Sequence, residues 1–132
     1  MKRKLTITTD PIDEAALVRE RTTSTEAGAA LYFSGIVRGS EETGTITAID
    51  YEANEAMARH QFDKIFDQVE TRWPIESIRL IHRISLVKVN EASLWVEIIS
   101  GHRGEAFEAC QWLINEMKRI VPIWKHPQEP EA

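Results

Sequence analysis

The sequence predicts an α+β fold, a mostly antiparallel sheet with helices packed against it. Strand patterns come in runs and helical patterns interrupt them at irregular intervals, the order such folds show. A segment from about 55 to 73 carries one apolar stripe at helical spacing, which has to be buried on a sheet. With 132 residues, no internal repeat and no low-complexity tract, the chain is read as one domain over 1–132. Residues 126–132 read as a short acidic tail.

Lys4 to Thr8 sets Leu5 and Ile7 against Thr6 and Thr8, the alternation of a short strand. A helix is expected over roughly Ile12 to Arg21. Its cap is either Asp10, with Pro11 at the first helical position, or Asp13; the sequence leaves both open. Thr22 to Glu26 is a polar connector. Ala29 to Val37 reads as a buried strand, with Gly28 and Gly35 permitting close backbone approach or a bulge. Gly39 to Thr45 sets two glycines around two acids with no apolar anchor, so a mobile loop is expected. Ile46 to Glu52 alternates again as a strand.

The long helix runs from about Glu55 to Trp73 behind Asn54 as its N-cap. Ala58, Phe62, Ile65, Phe66, Val69 and Trp73 form its stripe, and Pro74 stops it. Ser77 to Ile84 and Ser93 to Ser100 are two further strands, separated by a turn near Val89-Asn90-Glu91. A last helix covers Glu105 to Arg119, with Phe107, Cys110, Ile114 and Met117 on one face and Pro122 ending it.

Hydrophobic content of 42% and charged content of 28% are ordinary for a soluble globular protein. No apolar run approaches the ~20 residues that cross a bilayer, so no membrane role is expected. Met1-Lys2-Arg3-Lys4-Leu5 has no apolar region behind its basic residues, which speaks against a signal peptide. The single cysteine, Cys110, excludes an intrachain disulfide and fits a reducing cytoplasm. On its helix stripe it reads as a packed small hydrophobe, not a nucleophile. No histidine pair has metal-ligand spacing and one cysteine cannot supply a thiolate cluster, so no metal is expected; no cofactor is expected either. A formal net charge of −5 argues against general nucleic-acid binding, which needs a basic face.

Against that acidic balance, five basic groups stand at particular landmarks, a pattern suited to holding one specific anion. His102 and Arg103 sit where a strand gives way to a helix N-terminus, whose free N–H groups favour anions. A capping histidine and a surface arginine are the plain alternative. Lys118 lies near the same helix's C-terminus, where the macrodipole alone would favour a cation. Lys125 follows Pro122-Ile123-Trp124, a stretch stiffened by proline and anchored by an indole. A pair of lysines held together is a candidate general acid or base. Arg38 closes an apolar strand and is placed to clamp a phosphate or carboxylate, although a solvated strand-end arginine is equally ordinary. His82 alternates with Leu80 and Ile84 and reads as a core or interface histidine with a hydrogen-bonded ring, and His60 reads as surface.

A helix of this length puts Arg103 and Lys118 roughly 22 Å apart at 1.5 Å per residue. One small ligand reaches both ends only if a second copy of the chain supplies one of them. The spacing therefore predicts a homodimer with a shared pocket.

Several segments follow one another in an order and spacing that are specific together. They are Gly28-Ala29 through Phe33-Ser34-Gly35-Ile36-Val37-Arg38, Tyr51-Glu52-Ala53 with Met57-Ala58, and Arg72-Trp73-Pro74. Ile81-His82-Arg83-Ile84, Gly101-His102-Arg103 with Ala106-Phe107, and Lys118 with Pro122-Ile123-Trp124-Lys125 complete the set. In these segments the chain resembles the family of molybdopterin synthase large, catalytic subunits over nearly its whole length.

The resemblance implies an α/β-hammerhead fold and a central homodimer with a small ubiquitin-like sulfur carrier docked at each end, a heterotetramer. It implies a sulfurtransferase that converts cyclic pyranopterin monophosphate into the molybdopterin dithiolene. The carrier's C-terminal Gly-Gly thiocarboxylate would enter the pocket as sulfur donor. Carried over by position, Lys118 is the essential acid/base group and Lys125 assists it and neutralises charge. Arg38 would lie close to both, while His102 and Arg103 of the other protomer would bind the substrate's phosphate and pterin. Ser85 and Asn90 stand where the family usually has glycines, and His126-Pro127 stands where a basic residue and an acid often follow. The alternative is a noncatalytic module that binds a phosphorylated metabolite or scaffolds the carrier. A nucleic-acid-binding domain is a third reading, disfavoured by the acidic balance.

Overall fold

Period-two patterning in the first residues produces β1 (Lys2–Thr8), and Asp13 starts the short α1 (Glu14–Arg19). The structure, a computed structural model, describes residues 1–131. Next come β2 (Ala29–Ile36), β3 (Ser40–Glu41), β4 (Gly44–Thr45) and β5 (Ala48–Ala53). The long α2 (Glu55–Arg72), β6 (Ile75–Arg83), β7 (Ser85–Lys88), β8 (Ala92–Ser100), α3 (Arg103–Ile120) and β9 (Ile123–Gln128) complete the order.

The larger sheet has the strand order β1-β6-β8-β2, and the smaller one β7-β5-β9. Only the β1–β6 pair is parallel within them, so the architecture is the expected mixed α+β with antiparallel pairing dominant. β8 is the heart of the larger sheet and is buried on both faces. Leu80 and Val96 oppose each other on its helix-facing side, where α2 and α3 bring Phe62, Ile65, Phe66, Val69, Ala109 and Leu113. Arg79 and Glu97 oppose each other on the other side. A second, smaller cluster of Val37, Ile46, Ile49, Tyr51 and Val87 fills the smaller sheet. Ile123 packs against both clusters and so joins the two sheets.

α2 matches its sequence pattern. Asn54 caps it by accepting from the Met57 N–H, and Ala58, Phe62, Ile65, Phe66 and Val69 are buried. The open question at α1 resolves to Asp13, whose Oδ1 accepts from the Ala16 N–H at 3.1 Å. In α3 the buried face is Ala106, Ala109, Cys110, Leu113 and Met117, a slight rotation from the expected stripe. Phe107 is therefore 58% exposed. Alanines at the contact let the helix backbone approach the sheet, and the larger Phe107 lies outside it.

Four other expectations are corrected. The strand read as buried, β2, is an edge strand with β8 as its sole neighbour, and it leaves Phe33 and Ile36 38% and 48% exposed. The segment read as a mobile loop forms the β3–β4 ladder, closed by Gly44 at φ +121° and by the Ile46 N–H donating to the Gly39 carbonyl. β7 was not anticipated. Ser85, at φ +67°, turns the chain out of β6 and into the smaller sheet, and Asn90, at φ +75°, forms the next turn. Both residues that replace the family's glycines thus occupy the left-handed region, which asparagine tolerates better than serine. Finally, β9 pairs with β5 from Ala53↔Ile123 to Ala48↔Gln128, which takes His126 to Gln128 of the segment read as tail into the sheet.

Gly28 needs its missing side chain. Its N–H donates to the Ser100 carbonyl at 3.0 Å, and a Cβ there would overlap the Gly101 carbonyl oxygen. This close approach pins the start of β2 beside the residues that lead into α3.

Candidate active site

A cavity of about 680 Å³ opens where the two sheets meet the C-terminal end of α3. Each wall comes from a different element. The end of β2 supplies Phe33 to Ile36 and the following Arg38, β3 supplies Glu41, and β5 supplies Ile49 and Tyr51. β6 contributes His82, β8 Ser93 and Leu94, and the last turns of α3 Ile114, Met117 and Lys118. Val121, Ile123 and Lys125 close it from the segment that becomes β9.

Arg38, Lys118 and Lys125 are brought together, as expected, although they lie far apart in sequence. All three are exposed side chains at the cavity wall, whereas Tyr51, His82 and Ser93 are buried in its interior. Glu41 is the lining carboxylate and approaches Lys125 with Oε1 3.9 Å from Nζ. Three cations against one carboxylate leave the cavity positive within an acidic chain, which suits an anionic ligand. Lys125 is held by Ile123 and by the β9 ladder; Trp124, expected to be the anchor, is 50% exposed.

The interior is a polar network. Tyr51 donates its hydroxyl to Ser93 Oγ at 3.1 Å, and Ser93 donates to the Gly35 carbonyl at 3.4 Å. Burial raises the Tyr51 phenol above its ordinary range, against the lowering effect of the Ser93 hydrogen bond, and the charge of Glu41 adds to the rise. His82 lies edge-on to the Tyr51 ring at 5.4 Å, and its Nδ1 is 2.8 Å from the Arg83 carbonyl oxygen. Burial depresses its pKa, opposed by that carbonyl and aided by the Lys125 charge, so the ring is neutral near pH 7. Ser34 Oγ, also on a lining residue, is buried without a hydrogen-bond partner.

His102 and Arg103 do not line this cavity. They stand at the opposite end of α3, both exposed, and the His102 side chain makes no capping hydrogen bond. Instead its carbonyl accepts from Ser100 Oγ at 2.7 Å. Cys110 is buried in the α3 face and its thiol is pushed up to about 11 by desolvation, which makes it a packing group. Among the described residues, no group of three or more His, Cys, Asp or Glu is arranged to hold a metal ion. No helix among them is long and apolar enough to cross a membrane.

Sequence reasoning missed Glu41, Tyr51, Ser93 and the pocket position of His82. The alternation of Leu80, His82 and Ile84 was a usable signal, because it placed the imidazole on a defined strand face.

A family model described as MoaE protein matches residues 7–120 of this chain. A molybdopterin synthase catalytic subunit from Thermoplasma volcanium is 39% identical over 100 residues, covering 76% of this chain and 73% of that relative. Among solved structures, molybdopterin synthase from Staphylococcus aureus superposes with a TM-score of 0.86 at 29% identity, covering 96% of this chain and 92% of the other. A Helicobacter pylori chain shares the fold at 23% identity with a TM-score of 0.75, covering 95% and 83% of the two chains. It was solved as a protein–protein complex of subunits 1 and 2 of molybdopterin-converting factor.

Proposed function

This chain belongs to the MoaE protein family, and from that premise we infer that the cavity carries out the sulfur transfer of molybdopterin synthase. The chain is the catalytic subunit, a sulfurtransferase in molybdenum cofactor biosynthesis. Its partner is the small subunit, a ubiquitin-like carrier whose C-terminal thiocarboxylate enters beside Lys118. The other substrate is cyclic pyranopterin monophosphate, and the product is the molybdopterin dithiolene.

The single observation that carries this reading is the convergence of Arg38, Lys118 and Lys125 on one cavity. An anionic tail and a phosphorylated pterin both need cations that are fixed in place before they arrive. Lys118 acts as the acid/base group, Lys125 neutralises charge once its contact with Glu41 is exchanged for substrate, and Arg38 clamps an oxyanion. The thiol of Cys110 is buried and protonated, in keeping with a sulfur that comes from the partner.

His102 and Arg103 enter this scheme from a second copy of the chain. The length of α3 keeps them from the cavity of their own protomer. The half-exposed Phe33 and Ile36 on an unpaired sheet edge, with Phe107 exposed one turn from Arg103, support a homodimer that covers them. The reading places the protein in the cytoplasm, where its carrier stays reduced.

Reconstitution tests the function directly. The chain, a thiocarboxylated carrier and the cyclic monophosphate are expected to yield dithiolene, detected by fluorescence of its oxidised pterin. Carrier that keeps its full sulfur load after incubation would contradict the assignment.

A further inference from the structure

The cavity holds three cations and a carboxylate, yet a neutral imidazole is buried in its interior beside Tyr51. A thiocarboxylate that attacks through sulfur becomes a thioester, and its sulfur is handed over only when the acyl carbon–sulfur bond is cut by water. That cut needs a group that takes a proton. Arg38 stays protonated, and Lys118 already serves the attack of sulfur on the substrate, so the water calls for a separate group. The remaining candidate is set by geometry.

His82 is 6% exposed and lines the cavity from β6. A carbonyl oxygen only accepts hydrogen bonds, so the 2.8 Å contact to the Arg83 carbonyl requires the proton on Nδ1. The tautomer is thereby chosen, and Nε2 carries the lone pair. The Tyr51 ring, edge-on at 5.4 Å, fixes the plane of the imidazole. A buried, oriented imidazole with its proton on the far nitrogen is the arrangement of a general base.

We propose that His82 is a further catalytic residue, whose Nε2 accepts the proton of the water that cleaves the carrier–substrate thioester. The step balances. Water gives a proton to Nε2 while its oxygen bonds to the acyl carbon, and the carbon–sulfur bond breaks with its electron pair staying on sulfur. The carrier leaves with a carboxyl terminus, and the proton on His82 passes to the new thiolate. No oxidant or further reactant is consumed. This inference rests on the functional reading above.

Charged and titratable groups from several elements share the cavity with the ring. They are Tyr51 on β5, Lys125 on β9, Lys118 on α3, Arg38 after β2 and Glu41 on β3, while Arg83 on its own strand meets the ring through its carbonyl and turns its guanidinium to Glu91. Burial is the main effect that lowers its pKa, Lys125 adds to it and the Arg83 carbonyl opposes it, so the base form persists below the ordinary ~6.5. Turnover should be flat near neutrality and fall only on the acid side of that value.

The test uses His82→Asn, because the asparagine amide can still donate to the Arg83 carbonyl while Nε2 is lost. His82→Gln serves as a second variant, and thermal unfolding of both establishes that they fold. With thiocarboxylated carrier and cyclic monophosphate, kcat should fall roughly 10²-fold or more with KM for the carrier unchanged. A covalent carrier–substrate adduct should accumulate in intact-mass spectra, and the acid limb of the pH–rate profile should vanish. A folded variant with wild-type kcat, or one that slows without adduct and keeps its acid limb, overturns the role of His82 alone. If the wild-type protein makes no product, the functional reading fails and the base falls with it.

Discussion

Lys118→Ala should lower turnover by roughly 10²- to 10⁴-fold, the range a positioned acid/base group supplies. The fold should survive. Lys118 is an exposed residue in the last turn of α3, where losing its charge costs about 0.3–1 kcal/mol of dipole stabilisation. Alanine's better helix propensity offsets part of that. Carrier affinity by calorimetry should stay near wild type, because the effect is on the reacting atoms. Lys118→Arg sharpens the result, since a guanidinium keeps the charge but cannot give up a proton. It should bind the anionic substrate and still fail to turn over. A protein that merely held a ligand would respond the other way, with affinity lost in Lys118→Ala and restored by arginine.

Arg79→Ala should destabilise the protein by about 3–5 kcal/mol, the cost of leaving a buried charge without its partner. Glu97 is only 1% exposed on the central strand β8. Its two oxygens accept from Arg79 Nε and Nη2 at 2.6 Å each, and Nη2 also donates to the Leu17 carbonyl at 2.6 Å. The guanidinium further lies 5.1 Å from the Trp95 ring and so ties α1, β6 and β8 together. Urea denaturation measures the loss, and Arg79→Leu combined with Glu97→Leu should recover much of it, because apolar pairs replace buried ion pairs well. A change under about 1 kcal/mol in Arg79→Ala would mean that the pair behaves like a surface salt bridge.

α2 was legible to within a residue because its signals are local: Asn54 in front, Pro74 behind, and a stripe whose period is set by the helix itself. β7 and β9 were not legible. Their existence depends on pairing with β5, and no four- or six-residue window encodes a partner that distant. β2 shows the same limit from the other side. Its apolar run suggested burial, but the number of neighbouring strands, a property of the whole sheet, decided its exposure.

The site divides in the same way. Arg38, Lys118 and Lys125 were marked by local landmarks: a strand end, a helix end and a proline-stiffened turn. Glu41, Tyr51 and Ser93 belong to the cavity only because the two sheets close on one another. Glu41 was hidden further by its hairpin, whose polar, glycine-flanked sequence looks the same whether or not a ladder forms.

If two copies of the chain build each site, mixed dimers of two complementary variants recover activity that neither variant has alone. Lys118→Ala and Arg103→Ala are each expected to be inactive alone. Refolded together in equal amounts, they should regain about one quarter of wild-type turnover, since half the dimers are mixed and each has one site with both groups intact. Activity no higher than the sum of the separate variants would contradict the shared site.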